Sequence, residues 1–184
     1  MRILLPSIGS RGDIQPYINL AQGLQAAGHA VTVASHPCMR KLVEFHELEF
    51  APIGPDVNMD QEAARLRQNA FHWLIGFMKV MRFGYSLVTA SSDDILNLVK
   101  NADLVIVSDS SAGSAEADQL GVPRITVTLQ PTRVPRQQSD PGAMQRISGK
   151  VIGTIMDGLI TRPFNNHRKR LGLEKLGQEG ALWE

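Results

Sequence analysis

The hydrophobic pattern of this chain alternates between short β-branched runs and longer stretches with apolar residues three and four apart. Arg2–Pro6 is a short apolar run, and Ser7–Gly12 after it is loop-like. From Ile14 the apolar positions recur at helical spacing, through Tyr17, Ile18, Ala21 and Leu24, and Gly28 ends that helix. Ala30–Ala34 reads as a second buried strand, Pro37–Glu47 as a short helix and Glu49–Ile53 as a third strand. Strand, helix and strand at these separations predict a parallel βαβ unit.

The middle of the chain, from about Asp60 to Lys100, has helical spacing. Ser91-Ser92-Asp93 breaks it and offers a cap to the second piece. Asp103–Ser108 is a β-branched, near-continuous apolar run, the pattern of a central strand buried on both faces. A small-residue helix over Ala112–Leu120 follows, then a turn at Gly121-Val122-Pro123 and a further parallel strand over Arg124–Leu129. Gln130–Gly142 holds Pro131, Pro135 and Pro141 and reads as a loop. A long helix from about Ala143, striped by Ile147, Val151, Ile155 and Leu159, runs to Pro163, which kinks or interrupts it. The expected fold class is α/β: a Rossmann-like parallel β-sheet flanked by helices over residues 1–171, with 172–184 as a tail or linker.

Composition narrows the partners. The 184 residues suit one domain, and 43% hydrophobic with 20% charged residues is globular. A net charge of +1 provides no basic field for nucleic acid, so no nucleic-acid partner is expected. Between Arg133 and Arg170, however, eight Lys/Arg stand against two Asp. That segment is either a solvated helix face or a surface for anionic phosphates or lipid. Cys38 is the sole cysteine, which excludes an intramolecular disulfide and a two-cysteine zinc site. Met1–Ile8 is too short for a signal peptide, and no window reaches the ~20 apolar residues of a membrane span. A cytoplasmic location, with room for peripheral membrane contact, is the expectation.

The most informative stretch is Gly9-Ser10-Arg11-Gly12-Asp13-Ile14-Gln15-Pro16, between the first strand and the first helix. Ligands of open α/β sheets bind at the carboxyl ends of strands, so chemistry is expected at this turn. Gly9 and Gly12 permit a ligand to approach the backbone, and the helix N-terminus adds free N–H groups and partial positive charge. A dinucleotide fingerprint is not present: Arg11 stands where its second glycine belongs, and the second strand ends in Ala34-Ser35-His36 with no acidic residue. Gly149-Lys150-Val151 is not a phosphate-binding P-loop. Arg11-Gly12-Asp13 in a βα turn is not read as an adhesion tripeptide. Asp13 stands where an N-cap stands, so a capping role competes with catalysis.

Other positions carry weaker signals. Phe71, Trp73, Leu74, Ile75, Phe77, Met78, Val80, Met81 and Phe83 circle nearly all of a helix. They fit a buried helix, the lining of a hydrophobic ligand pocket, or an interfacial helix with Lys79 and Arg82. His36 and Asp109 follow the second and fourth strands, at the edge where ligands bind; a turn residue and a helix cap are their plainer roles. His29, His46, His72 and His167 have no metal-ligand spacing, and no metal is expected.

These residues resemble a known family. Gly9–Pro16, Leu20-Ala21, Leu24 and Ala27–Ala34 are similar to the start of the glycosyltransferase family 28 N-terminal domain. Asp103–Val107, Ala117, Leu120-Gly121-Val122-Pro123 and Gln130-Pro131-Thr132 look like its fourth and fifth strands and the following loop, so the likeness brackets residues 1–135. The family has the GT-B fold and includes sterol glucosyltransferases and antibiotic-tailoring enzymes of the vancomycin type. The resemblance implies an acceptor-binding half of an enzyme that moves a hexose from a nucleotide-diphosphate sugar to an acceptor hydroxyl, with inversion. It implies Asp13 as general base and Gly9, Ser10, Arg11 and Gly12 facing the donor phosphates; Arg11 could equally be a solvated surface residue. His36, Phe71, Trp73, Phe77, Met78, Met81, Asp109, Gln130, Pro131 and Thr132 are the acceptor-side candidates. No resident cofactor is implied, because the nucleotide sugar is a substrate. The donor-binding half is expected beyond Glu184, so this chain alone is expected to be inactive. The competing expectation is a stand-alone subunit that binds acceptor or membrane and recruits a separate donor-binding chain.

Overall fold

The computed structural model describes residues 1–58, 61–62, 64–65, 73–108, 112–128 and 161–176. Five strands, β1 (Arg2–Pro6), β2 (Ala30–Ser35), β3 (Glu49–Pro52), β4 (Leu104–Ser108) and β5 (Arg124–Val127), form one sheet in the order β3-β2-β1-β4-β5. Every pairing is parallel, with Ile3 opposite Val31 on one side and Leu104 on the other. All carboxyl ends therefore share one edge, as the βαβ pattern predicts. Six α-helices are described: α1 (Arg11–Ala26), α2 (Arg40–Glu44), α3 (Trp73–Ala90), α4 (Ser92–Val99), α5 (Ser114–Leu120) and α6 (Arg162–Arg170). Pro37–Met39 forms a 3-10 turn ahead of α2.

Alternation along β1 sorts the core into two layers. Ile3 and Leu5 pack with Val31, Val33 and the α1 stripe Ile14, Tyr17, Ile18 and Ala21. Leu4 faces the opposite side, with Val105, Val107, Leu87 and Val88 of α3, and Ile95 and Val99 of α4. Burial of these side chains on both faces is what covers a parallel sheet and keeps its backbone dry.

Two expectations need correction. Helix α1 begins at Arg11, not near Ile14, and its N-cap is Ser10 in extended conformation (φ −76°, ψ 174°), so Asp13 is not the cap. The two glycines made the turn look longer than it is. At the far end Gly28 adopts φ 87° and its N–H bonds the Gln25 carbonyl, the expected stop. The break between α3 and α4 does fall at Ser91, but its hydroxyl donates back to the Leu87 carbonyl (2.8 Å) and does not cap α4. The strand read as Arg124–Leu129 is described as β5 over Arg124–Val127. Pro163 stands in the first turn of α6, where a missing N–H costs nothing. The helix expected from Ala143 lies outside the described residues.

Polar contacts dock α6 onto the rest. Glu116, in the first turn of α5, is fully buried. Its Oε1 accepts from the Ser92 hydroxyl of α4 (2.6 Å) and meets His167 Nε2 of α6 (2.8 Å), while Oε2 is buried with no hydrogen-bond partner among the described residues. Two residues on, Asp118 takes Arg168 (2.6 Å) and Arg124 (2.9 Å). Burial pushes the Asp118 carboxyl up, but these two guanidinium groups outweigh it and hold it below the usual carboxylate range. The Tyr85 hydroxyl of α3 donates to the Pro163 carbonyl, and burial raises its ionisation well above the ordinary phenol. Of the basic residues between Arg133 and Arg170, Arg168 is thus buried and structural, whereas Arg162, Lys169 and Arg170 are exposed.

Candidate functional site

The β1–α1 turn rises from the carboxyl edge of the central strand. Two bonds to β2 fix its base: Ser7 N–H donates to the Ala34 carbonyl (2.9 Å), and the buried Ser35 hydroxyl donates to the Ser7 carbonyl (2.7 Å). On the other flank Gly113, with φ 89°, leads into α5 and lies so close to Pro6 that a Cβ would stand 2.5 Å from its ring. The strand end that presents the turn is therefore clamped from both sides.

Within the turn, Asp13 folds back over the chain that precedes it. Its Oδ2 accepts the Ser10 backbone N–H (2.8 Å) and the Ser10 hydroxyl (2.9 Å). This is the reaching-back arm of a capping box, with Asp in the position usually held by Glu or Gln. Asp13 remains exposed, as do Arg11 and Gly12; Ser10 is half-buried. Gly9 is buried, and what approaches its backbone is Asp13: a Cβ on Gly9 would lie 2.5 Å from Oδ2 and 2.8 Å from both Cβ and Cγ of that side chain. The arrangement can present a carboxylate of fixed orientation to solvent, beside free N–H groups of the first turn. Arg11-Gly12-Asp13 forms that first helical turn.

His36 is also at this edge, but it is fully buried, behind the rim and not on it. Among the described residues neither ring nitrogen meets a partner in full hydrogen-bond geometry. Burial lowers its pKa, against opposing influences from the Pro55 and Ile53 carbonyls and Asp56. A folded state that refuses this proton loses stability as the pH falls below 6.5, where the unfolded chain takes the proton up. Between pH 7.5 and 5.5 the His36→Leu chain should show a shallower fall in unfolding free energy than the parent, by up to about 1.4 kcal/mol per pH unit. Urea titrations at both pH values measure it; identical slopes would show that His36 is protonated equally in both states.

The remaining candidates are spread unevenly. Met78 is half-buried in α3, which leaves Ile75, Lys79 and Arg82 exposed. Trp73, Phe77 and Met81 belong to α3, but their side chains lie outside the description; Phe71, Asp109, Gln130, Pro131 and Thr132 lie outside the described residues altogether. Among the described residues no cluster of three His, Cys, Asp or Glu could hold a metal, and no helix is long and apolar enough to cross a membrane. Sequence reasoning missed the supporting pair Ser7 and Ser35, whose small hydroxyls carry no pattern of their own. It also missed the Ser10–Asp13 box, although Ser-x-x-Asp ahead of an apolar run is its signature.

Residues 3–93 match the glycosyltransferase family 28 N-terminal domain. A sterol 3-beta-glucosyltransferase of Sclerotinia sclerotiorum is 34% identical over 194 residues, covering 97% of this chain and 13% of that protein. Its counterpart from Aspergillus oryzae is 31% identical over 190 residues, 95% of this chain and 13% of its own length. The glycosyltransferase SsfS6 of Streptomyces sp. SF2575, solved with thymidine diphosphate, is similar with a TM-score of 0.67 and 25% identity, over 96% of this chain and 47% of that one. The five-stranded parallel sheet with its helices is thus the architecture of one half of a GT-B glycosyltransferase. The chain spans about an eighth of the curated relatives and under half of the solved chain.

Proposed function

Because residues 3–93 belong to the glycosyltransferase family 28 N-terminal domain family, we propose that this chain is the acceptor-binding half of an inverting hexosyltransferase with Asp13 as its general base. The observation that carries the reading is the Asp13 carboxylate, exposed yet held by Ser10, at the carboxyl edge of the central strand. The acceptor hydroxyl attacks the anomeric carbon and its proton passes to Asp13. The bond from that carbon to the diphosphate oxygen breaks, and the nucleotide diphosphate leaves with the electron pair. An ordinary aspartate is a weak base at neutral pH, so transfer of the proton occurs late, as the new C–O bond forms. Arg11 and Gly12 face the donor phosphates across the cleft, where the α1 N-terminus and Arg11 offset leaving-group charge, whereas Ser10 commits its hydroxyl and N–H to Asp13 and does not contact the phosphates.

Donor recognition then belongs to a second domain, and this chain by itself is inactive. The sterol glucosyltransferase relatives support a bulky apolar alcohol as acceptor. His36 contributes no contact in this reading, because it is buried; the acceptor meets α3 around Met78 and the residues after β4 and β5. Calorimetric titration of the chain alone separates the halves. A sterol in detergent micelles should bind with a Kd below about 1 mM, while UDP-glucose and thymidine diphosphate bind more weakly. Tight nucleotide binding without sterol binding would overturn the assignment to the acceptor side.

A further inference from the structure

A carboxylate that works as a base needs one oxygen free and the other held, and the β1–α1 turn divides Asp13 in this way. Both hydrogen bonds from Ser10 end on Oδ2. Among the described residues Oδ1 receives no hydrogen bond. Side chain and backbone of one residue grip the same oxygen from two directions, which fixes the plane of the carboxylate as well as its position. Gly9 makes this rotamer available, since any Cβ there would occupy the space of Asp13 Oδ2, Cβ and Cγ. The φ of Gly9 lies outside the left-handed region, so contact, not backbone conformation, is what calls for glycine.

We infer that Gly9 and Ser10 are positioning residues that hold Asp13 Oδ2 so that Oδ1 is the oxygen that receives the acceptor proton. Ser10 acts through its single hydroxyl proton and its N–H; Gly9 acts by absence of a side chain. This rests on Asp13 being the base. A purely capping function would be insensitive to which oxygen is held, and would not call for contact between Gly9 and the whole Asp13 side chain.

The test is steady-state kinetics in the complete enzyme, with the thermal midpoint of each variant measured alongside. Ser10→Ala keeps the turn but removes the hydroxyl donor; it should lower kcat about tenfold and leave the acceptor KM within about twofold, the sign of an interaction used in the transition state. Ser10→Thr retains a hydroxyl and a good N-cap and should recover most of kcat. Gly9→Ala should cost about a hundredfold, the scale of displacing a reacting group by about 1 Å. If Gly9→Ala does not fold, the Ala and Thr pair at Ser10 decides. Normal kcat in Ser10→Ala, or failure of Thr to restore what Ala loses, overturns the positioning role while an inactive Asp13→Asn enzyme leaves the base assignment standing. An Asp13→Asn enzyme of full turnover removes both.

Discussion

Replacing Asp13 by alanine in the complete enzyme should lower turnover by about 10²–10⁴-fold, the usual contribution of a positioned general base. Alanine also deletes the arm of the capping box, which should cost about 1 kcal/mol of stability, so a loss of activity alone would be ambiguous. Asparagine resolves it. Its side-chain oxygen can accept the Ser10 N–H and hydroxyl as Oδ2 does, so α1 should start as before and the thermal midpoint should stay near that of the parent. A carboxamide cannot take the acceptor proton, so turnover should fall as far as in the alanine enzyme. Single-turnover assays of both variants with saturating acceptor and donor measure this directly. Normal turnover in Asp13→Asn would reduce Asp13 to a helix-capping residue and move the search for the base elsewhere on the carboxyl edge.

The largest stability effect should come from Glu116. Truncation to alanine strips the Ser92 hydroxyl and His167 of their shared partner inside the protein and leaves a void between α4, α5 and α6. Breaking a buried set of this kind from one side costs about 3–5 kcal/mol, because the groups left behind stay desolvated. For a domain of this length that corresponds to a fall of about 6–20 °C in thermal midpoint. Replacing the set together, as Ser92→Ala, Glu116→Leu and His167→Leu, should recover much of the loss, because no polar group is then stranded. Urea denaturation of the single and triple variants tests both statements. A cost below about 1 kcal/mol for Glu116→Ala would mean that water enters the site and that α6 is held by Phe164 and Arg168 instead.

These two residues show how unevenly the molecule is written in its sequence. Strand β1 announces itself as a short apolar run and β2 and β4 as β-branched ones, and Gly28 and Ser91 mark the helix ends that they make. Such signals are local, set by neighbours within one turn or one strand. Asp13 was legible as important from its place in the first βα turn, but its true position, three residues after the Ser10 cap, was obscured by glycines that suggest loop. Glu116 was not legible at all. It sits among small residues, like any solvated glutamate, and its partners Ser92 and His167 lie 24 and 51 residues away. A buried polar contact between distant segments leaves no periodicity to read. His36 was placed correctly at the carboxyl edge, yet nothing in Ser35-His36-Pro37 tells whether the ring turns in or out.

The strand order carries a consequence for how the chain reaches this state. Strand β1 occupies the middle of the sheet, and its β4 neighbour arrives only about a hundred residues later, where Ile3 meets Leu104. During synthesis β1, α1, β2 and β3 can assemble from near neighbours, but one side of β1 then waits as an open edge with unpaired backbone groups. Closing that edge requires a long loop to be drawn in before the contact rewards it, which makes the β1–β4 step slow relative to the β1–β2 step. The nascent domain is therefore most exposed to aggregation in the interval before Asp103–Ser108 leaves the ribosome, and a translational pause ahead of β4 would lengthen that interval.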